Sequence, residues 1–292
     1  MLNHTVQKTM CGIDTADENA EMHNRKSIAD LMVPRLQSEQ GRLADQYANA
    51  AQPYFALDNL LPEELAEFIY KAFPPRDKMM LKKSIREKKY VTSQMDQCTP
   101  LLEEIVFAFQ DPRLVELVSA ITGIRQLEPD AQLYAGGVSV MGRSHFLNPH
   151  IDNSHDRKRE RYRVLNLLYY VSPAWQAEFG GNLELWPEGP TGKPLTVESN
   201  FNRLVVMGTT TRSWHSVNEV RVDKSRCCVS NYYFSKVSPE VEDYFHITSF
   251  RGRPGQVVRD ALLRVDAAAR QAARRIAKLG LVETKHYYRP RD

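Results

Sequence analysis

The segment from about residue 133 to residue 236 is built from short runs rich in β-branched and aromatic residues, which Gly, Pro and Asn separate. Many short strands at this spacing are typical of antiparallel sheets that form a sandwich or close into a barrel. The clearest runs are residues 138–141, 164–171, 182–186, 204–207 and 227–234. A β core in this part of the chain is therefore the strongest constraint on the fold.

Both flanks of this core carry apolar residues at helical spacing. Residues 23–50 follow that pattern, with breaks expected at Pro34 and Gly41, and residues 54–57 predict one short strand. We predict four regions: a flexible lead-in over 1–22, a helical support region with one short strand over 23–129, the β core over 130–236 and a basic helical extension over 237–292.

Composition bounds the class of protein. A chain of 292 residues with 42% hydrophobic residues can bury a core, and its net charge of +3 argues against nucleic acid or an anionic membrane as a general partner. The four cysteines form no C-x-x-C motif, so we expect neither a disulfide framework nor a cysteine zinc site. The sequence shows no apolar membrane helix or signal peptide, and we predict a cytoplasmic protein without membrane contact.

Positive charge is uneven along the chain. Residues 82–89 are locally basic, either as a solvated face or as a contact surface for an anionic or peptide substrate. Residues 251–292 hold eleven Lys and Arg against four Asp and Glu. This tail is either a solvated helix face or a contact with an anionic partner or with a second copy, which would make the protein a homodimer.

A histidine–aspartate pair in the β segment has the spacing of a metal site. His150 and Asp152 share one face if they lie on a strand, and His215 follows sixty-five residues later. Two imidazoles and one carboxylate on one side of a metal ion form the ligand set of non-haem Fe(II) oxygenases, with three positions left open. Each residue alone is equally compatible with a surface turn or a structural histidine, so the joint pattern carries the prediction.

Arg226 lies eleven residues beyond His215, after a predicted turn over 221–225. We expect antiparallel pairing across that turn to bring Arg226 near the His215 strand. A guanidinium there could bind the distal carboxylate of a 2-oxo acid bidentately. A salt bridge to a surface acid is the alternative.

Together these motifs resemble the Fe(II)/2-oxoglutarate-dependent dioxygenases, and within them the prolyl 4-hydroxylase-like group that includes the HIF prolyl hydroxylases and the ribosomal-protein prolyl hydroxylases. The resemblance covers roughly residues 130–236. It rests on the order and spacing of residues 150–153, 164–171, Trp175, 180–189 and 201–206 ahead of His215. The implied fold is α+β, with a double-stranded β-helix core (jelly-roll, cupin-like) flanked by N-terminal and C-terminal helices.

The resemblance also implies roles for individual residues. His150, Asp152 and His215 would be the catalytic iron ligands, and the co-substrate would contact Arg226, Tyr170, Leu183, Val217, Tyr134 and Ser230. Two positions depart from the family pattern. Cys228 stands where many relatives have Ser or Thr, with Ser230 two residues on, and Val140 stands where several relatives have Tyr, with Tyr134 as a stand-in.

The implied activity is hydroxylation of an unactivated C–H bond in an amino-acid, peptidyl (including prolyl) or small-metabolite substrate. It would use Fe(II), O2 and 2-oxoglutarate, which becomes succinate and CO2, with ascorbate as a candidate reductant. The carboxylate at Asp152 favours hydroxylation, because halogenating relatives have Gly or Ala at that position. The alternatives are a non-catalytic cupin-like binding module and a zinc hydrolase, and the order and spacing of the motif argue against the hydrolase.

Overall fold

The fold was analysed in a computed structural model, which describes residues 23–134, 136–276 and 288. The predicted lead-in over 1–22 lies outside the described residues, as do residues 277–287 and 289–292 of the predicted extension.

Six α-helices among the described residues flank the sheet. They are α1 (Arg25–Ser38), α2 (Gln40–Asn49), α3 (Glu63–Lys71), α4 (Pro100–Ala108), α5 (Pro112–Thr122) and α6 (Val257–Ile276). The Asn24 side chain caps α1 by accepting a hydrogen bond from the Ser27 amide. The break between α1 and α2 lies at Glu39, so neither expected position is correct: Pro34 lies inside α1 and Gly41 inside α2. Burial of Met32 and Leu36 on either side of Pro34 stabilises the helix through that residue.

Within the described part of the chain, thirteen strands form one curled antiparallel sheet. Their order is β1-β10-β7-β12-β5-β3-β6-β11-β8-β9, with β2 on β3, β4 on β12 and β13 on β6. The strands are β1 (Tyr54–Asp58), β2 (Met80–Lys83), β3 (Glu87–Thr92), β4 (Leu127–Pro129), β5 (Gly137–Met141), β6 (Phe146–Ile151), β7 (Tyr162–Tyr170), β8 (Leu183–Leu185), β9 (Leu195–Val197), β10 (Arg203–Gly208), β11 (His215–Val217), β12 (Arg226–Ser235) and β13 (Ser249–Phe250).

Side-chain alternation on β7 separates the support layer from the interior. Leu165, Leu167 and Tyr169 belong to the large core that the N-terminal helices cover. Tyr170 points to the opposite face of β7. There it packs in a cluster with residues of β10 and β12 and with residues of β8 and β9, including Leu183. The two ends of the curled sheet therefore face each other, and the predicted double-stranded β-helix is confirmed.

Two expectations about strand pairing are wrong. The range 23–129 contains the four strands β1 to β4, not one, because β2 and β3 form a hairpin from the basic segment 82–89 and β3 pairs with both β5 and β6. Arg226 does not share a hairpin with His215, since β12 pairs with β4, β5 and β7 while β11 pairs with β6 and β8. The chain between them crosses from one layer of the sheet to the other.

A glycine at the base of that crossing permits a close backbone contact. Gly180 has φ +75°, and a Cβ there would lie 1.9 Å from the carbonyl oxygen of Glu219. The Arg221 amide donates to the Phe179 carbonyl at 2.8 Å beside it. Only glycine fits this approach, which holds the segment that leads from β11 to Arg226.

None of the helices in the described ranges combines the length and the hydrophobicity that a membrane span requires.

Candidate active site

The structure brings the three predicted metal ligands together. His150 near the end of β6 is the direct cross-strand neighbour of His215 at the start of β11, and their ring centroids are 4.0 Å apart. Asp152 follows β6 immediately, and one ligand atom from each of the three residues lies within 4.8 Å of the others. The two histidines are only 4% and 5% exposed. Sequence positions sixty-five residues apart thus form one buried cluster.

Backbone carbonyls orient both imidazole rings. His150 Nδ1 lies 3.0 Å from the Asn148 carbonyl oxygen, and His215 Nδ1 lies 2.9 Å from the Ser213 carbonyl oxygen. Because a carbonyl can only accept, each Nδ1 carries the proton and each Nε2 keeps its lone pair. The Nε2 atoms are 3.8 Å and 3.5 Å from the Asp152 carboxylate oxygens, so the lone pairs point toward one common space.

The protonation states also suit a metal ion. Burial, reinforced by the neighbouring imidazole, lowers the pKa of His150 to about 3, and burial lowers the pKa of His215 as well. Burial acts to raise the pKa of Asp152, but the Arg163 guanidinium and the two imidazoles outweigh it and hold that pKa well below its ordinary value. Two neutral imidazoles and one carboxylate are the state that a divalent cation needs, and the residues therefore fit the implied iron.

Two polar residues of β7 support Asp152, and the sequence analysis missed both. Asn166 Nδ2 donates to Asp152 Oδ2 at 2.7 Å, and Arg163 Nη2 lies 3.5 Å from the same oxygen. Arg163 is 2% exposed, donates to Asn166 and Asn153, and stacks over the Tyr232 ring at 3.6 Å. Isolated polar residues within the otherwise apolar run of residues 162–170 were the available signal.

Arg226 is buried in the interior and has no acidic partner among the described residues, so the surface salt bridge considered above is wrong. The residue is 4% exposed, and its guanidinium lies 4.5 Å from the centroid of the Tyr170 ring. Its contacts with described residues are weak: Nη2 lies 3.4 Å from Ser199 Oγ, Nη1 lies 3.9 Å from Met141 Sδ, and Nε has no hydrogen-bond partner. A buried cation with unused donors fits an anionic ligand such as a carboxylate.

The remaining predicted co-substrate residues fall into two groups. Leu183 and Val217 are direct neighbours across β8 and β11, two residues from His215, and Leu183 packs in the same cluster as Tyr170 and Cys228. Burial raises the pKa of Tyr170, which keeps its hydroxyl protonated as a donor. Tyr134 and Ser230 instead line a separate cavity together with His150 and Asp152. His145 and His155 are both buried.

That cavity has a volume of about 430 Å³ and opens beside the triad. Its wall includes the β2–β3 hairpin through Lys82, Glu87 and Lys89. Arg163 also lines it, so the residue that supports Asp152 is reachable from the cavity. The basic segment predicted as either a solvated face or a contact surface therefore forms part of the site.

Comparisons with known proteins found one family model and several solved structures that are similar to this chain. Residues 136–234 match the model of the 2OG-Fe(II) oxygenase superfamily. No curated protein matches the chain. Three solved structures with a similar fold are prolyl hydroxylases. One, from Pseudomonas putida, has 17% identity and a TM-score of 0.49, covering 67% of this chain and 98% of its own.

The second structure, from Phytophthora capsici, has 17% identity and a TM-score of 0.49, covering 83% of this chain and 78% of its own. The third, from Trichoplax adhaerens in complex with a hypoxia inducible factor peptide, has 16% identity and a TM-score of 0.43, covering 78% of this chain and 95% of its own. The superfamily match over residues 136–234 spans the His150, Asp152 and His215 cluster, so this part of the chain is similar to the 2OG-Fe(II) oxygenases, enzymes that use Fe(II), 2-oxoglutarate and O2.

Proposed function

We propose that this oxygenase hydroxylates an unactivated C–H bond of an amino-acid, peptidyl or small-metabolite substrate. The observation that carries the proposal is the buried cluster of two neutral imidazoles and one ionised carboxylate inside the superfamily match. The carboxylate of Asp152 supports hydroxylation as the outcome. The superfamily match favours this function over the cupin-like binding module.

We assign the metal site to His150 Nε2, His215 Nε2 and Asp152. The carbonyls of Asn148 and Ser213 hold the two rings in one tautomer, while Asn166 and Arg163 hold the Asp152 carboxylate in place. Bound Fe(II) would supply the oxidation of the substrate by O2, coupled to conversion of 2-oxoglutarate into succinate and CO2. The two histidines are buried, whereas the Asp152 side chain is 12% exposed and lines the cavity from which a substrate would reach this centre.

We assign the 2-oxoglutarate site to the interior next to Arg226. The unused donors of its guanidinium would bind the distal carboxylate, and the protonated Tyr170 hydroxyl beside it would donate to the same group. Leu183 and Val217 would form the apolar wall. Tyr134 and Ser230 line the cavity beside the triad, so we propose that they contact bound co-substrate or substrate there.

Several finer points stay predictions. A prolyl peptide as the substrate and ascorbate as the reductant rest on the motif resemblance alone. The thiols of Cys98, Cys227 and Cys228 are free, in keeping with the predicted cytoplasmic location. We also propose residues 130–236 as the catalytic core, which the superfamily match over 136–234 supports, with 23–129 as its support and 237–292 as its extension.

The function is tested by adding Fe(II) and then 2-oxoglutarate to the full chain without oxygen. We expect a visible charge-transfer band that appears only with both, and succinate formation once oxygen is admitted. Mass spectrometry of a substrate pool should then show a gain of one oxygen atom. Metal binding without a band and without succinate would instead support the cupin-like binding module.

A homodimer stays a prediction, and α6 is the surface that would form it. Val258, Leu262 and Val265 lie at heptad spacing on this helix and are 77%, 55% and 70% exposed. Leu263, on the opposite side of α6, is fully buried. We expect Leu262→Glu with Val265→Glu to convert dimers into monomers in sedimentation velocity experiments. A wild-type chain that sediments as a monomer at high concentration would contradict the dimer.

A further inference from the structure

The cavity beside the triad is lined by more cationic than anionic side chains. Among its lining residues, five carry positive charge and two, Glu87 and Asp152, carry negative charge. The cationic residues are Lys82, Arg86, Lys89, Arg163 and Arg270. A cleft with one dominant sign of charge concentrates ligands of the opposite sign.

Three of these cations already have acidic neighbours. Arg86 and Arg270 both form ion pairs with Asp266, with the Nε atom of each 3.0 Å from Oδ2. Arg163 lies beside Asp152 and holds that carboxylate. Arg86 and Arg270 share that one carboxylate, and the two remaining cations of the cavity, Lys82 and Lys89, lie on the β2–β3 hairpin.

On that hairpin, Lys82 and Lys89 are direct cross-strand neighbours and both line the cavity. Lys89 Nζ lies 3.1 Å from Glu87 Oε2, whereas Lys82 forms no ion pair with any residue that the structure describes. On the hairpin, the Glu87 carboxylate is thus the one acidic group beside the two ammonium groups of Lys82 and Lys89. Like charges that face each other across a strand pair destabilise it, and an anion between them removes the repulsion.

Burial and the nearby charge of Lys89 both lower the pKa of Lys82. Lys82 and Lys89 line the same cavity as His150 and Asp152. An anion bound by the hairpin would therefore share the cavity with the metal ligands. The volume of about 430 Å³ is in the range of small-molecule sites.

We propose that Lys82 and Lys89 bind an oxyanion of the primary substrate, a carboxylate or a phosphate group, and so hold the substrate beside the triad. This inference rests on the proposed function, since it names the substrate class of the same site. The oxyanion site at the hairpin lysines is distinct from the proposed co-substrate site, because Arg226 is buried in the interior and does not line this cavity. The substrate would be an anionic small molecule or an anionic residue of a peptide.

Binding of inorganic phosphate to the full chain, measured by calorimetry, tests the oxyanion site without a known substrate. 2-Oxoglutarate is held at the lowest concentration that fills the site at Arg226, so that phosphate does not occupy that site and excess co-substrate does not fill the lysine site. We expect one phosphate per chain and a loss of about tenfold in affinity for Lys82→Gln and for Lys89→Gln, the effect of losing one charge-assisted hydrogen bond. Lys83→Gln is the matched control, because Lys83 is exposed on the same strand and does not line the cavity.

Equal phosphate affinity in the wild type, Lys82→Gln and Lys89→Gln would overturn the proposal, and so would an equal loss in Lys83→Gln. The charge-transfer band of the wild-type chain reports the proposed oxygenase function separately. A band without a lysine effect removes only the oxyanion site, whereas a lysine effect without a band removes the oxygenase assignment. Substrate pools of anionic peptides and of small acids, screened for a gain of one oxygen, then distinguish the two sources of the anion.

Discussion

Asp152→Asn is expected to lower the affinity for a divalent metal by at least about 100-fold, more than the loss of a hydrogen-bond partner of a ligand does. The amide keeps the shape of the side chain but removes the only carboxylate of the cluster. It also leaves the buried Arg163 guanidinium without its anionic neighbour, which should lower the free energy of unfolding of the metal-free chain by about 3 kcal/mol. Calorimetric titration with Ni(II) measures the affinity, and succinate formation should fall to background.

Asp156→Asn provides the matched control for this prediction. Asp156 lies on the same connection after β6, is similarly buried and is paired with Arg161 at 2.9 Å, but it does not belong to the metal cluster. We expect its Ni(II) affinity to equal that of the wild type even if its stability falls. Equal metal affinity in Asp152→Asn and the wild type would exclude this carboxylate as a ligand.

Arg226→Met is expected to weaken 2-oxoglutarate binding about 100-fold or more, because the guanidinium is the buried cation assigned to the distal carboxylate. The same change removes a buried charge that has no acidic partner among the described residues. We therefore expect the free energy of unfolding of the ligand-free chain to stay constant or rise. Titration of 2-oxoglutarate into the Ni(II)-loaded chain and urea unfolding measure the two effects.

Weaker 2-oxoglutarate binding without a loss of stability would distinguish a binding role of Arg226 from a structural one. If Arg226 held the fold together, Arg226→Met would lower stability and co-substrate affinity in parallel. Arg203→Met is the control, since Arg203 lies next to Tyr170 across β10 and β7 but forms an ion pair with Asp58. Its 2-oxoglutarate affinity should match that of the wild type, and a comparable loss there would argue against a specific role for Arg226.

Local sequence patterns were sufficient for the metal cluster. Residues i and i+2 share a face of a strand, which predicted that His150 and Asp152 point the same way. In the structure β6 ends at Ile151, and Asp152 reaches the same space from the residue directly after the strand. The order of short strands and the spacing to His215 then predicted the fold and the third ligand, and the structure pairs His150 with His215 directly. The short β-branched and aromatic runs of residues 133–236 likewise predicted the β core.

Other features depended on contacts between distant residues. The sequence pattern did not show that residues 82–89 form a hairpin, because their strand character comes from backbone hydrogen bonds to β5 and β6 rather than from local propensity. The place of Arg163 beside Asp152 was missed for a related reason. The sequence around Arg163 does not indicate its partner, because Asp152 follows a different strand and comes near Arg163 only when β6 and β7 are in place.

The sequence alone thus indicated the three candidate metal ligands, because the spacing of His150 and Asp152 and the position of His215 after a later strand run can be read along the chain. Only the tertiary structure decided that Arg226 enters the interior on β12 instead of pairing beside β11, and that Lys82 and Lys89 form a wall of the cavity. Both depend on how the curled sheet brings its two layers together. That arrangement is set by long-range strand pairing and core packing, which no local pattern specifies.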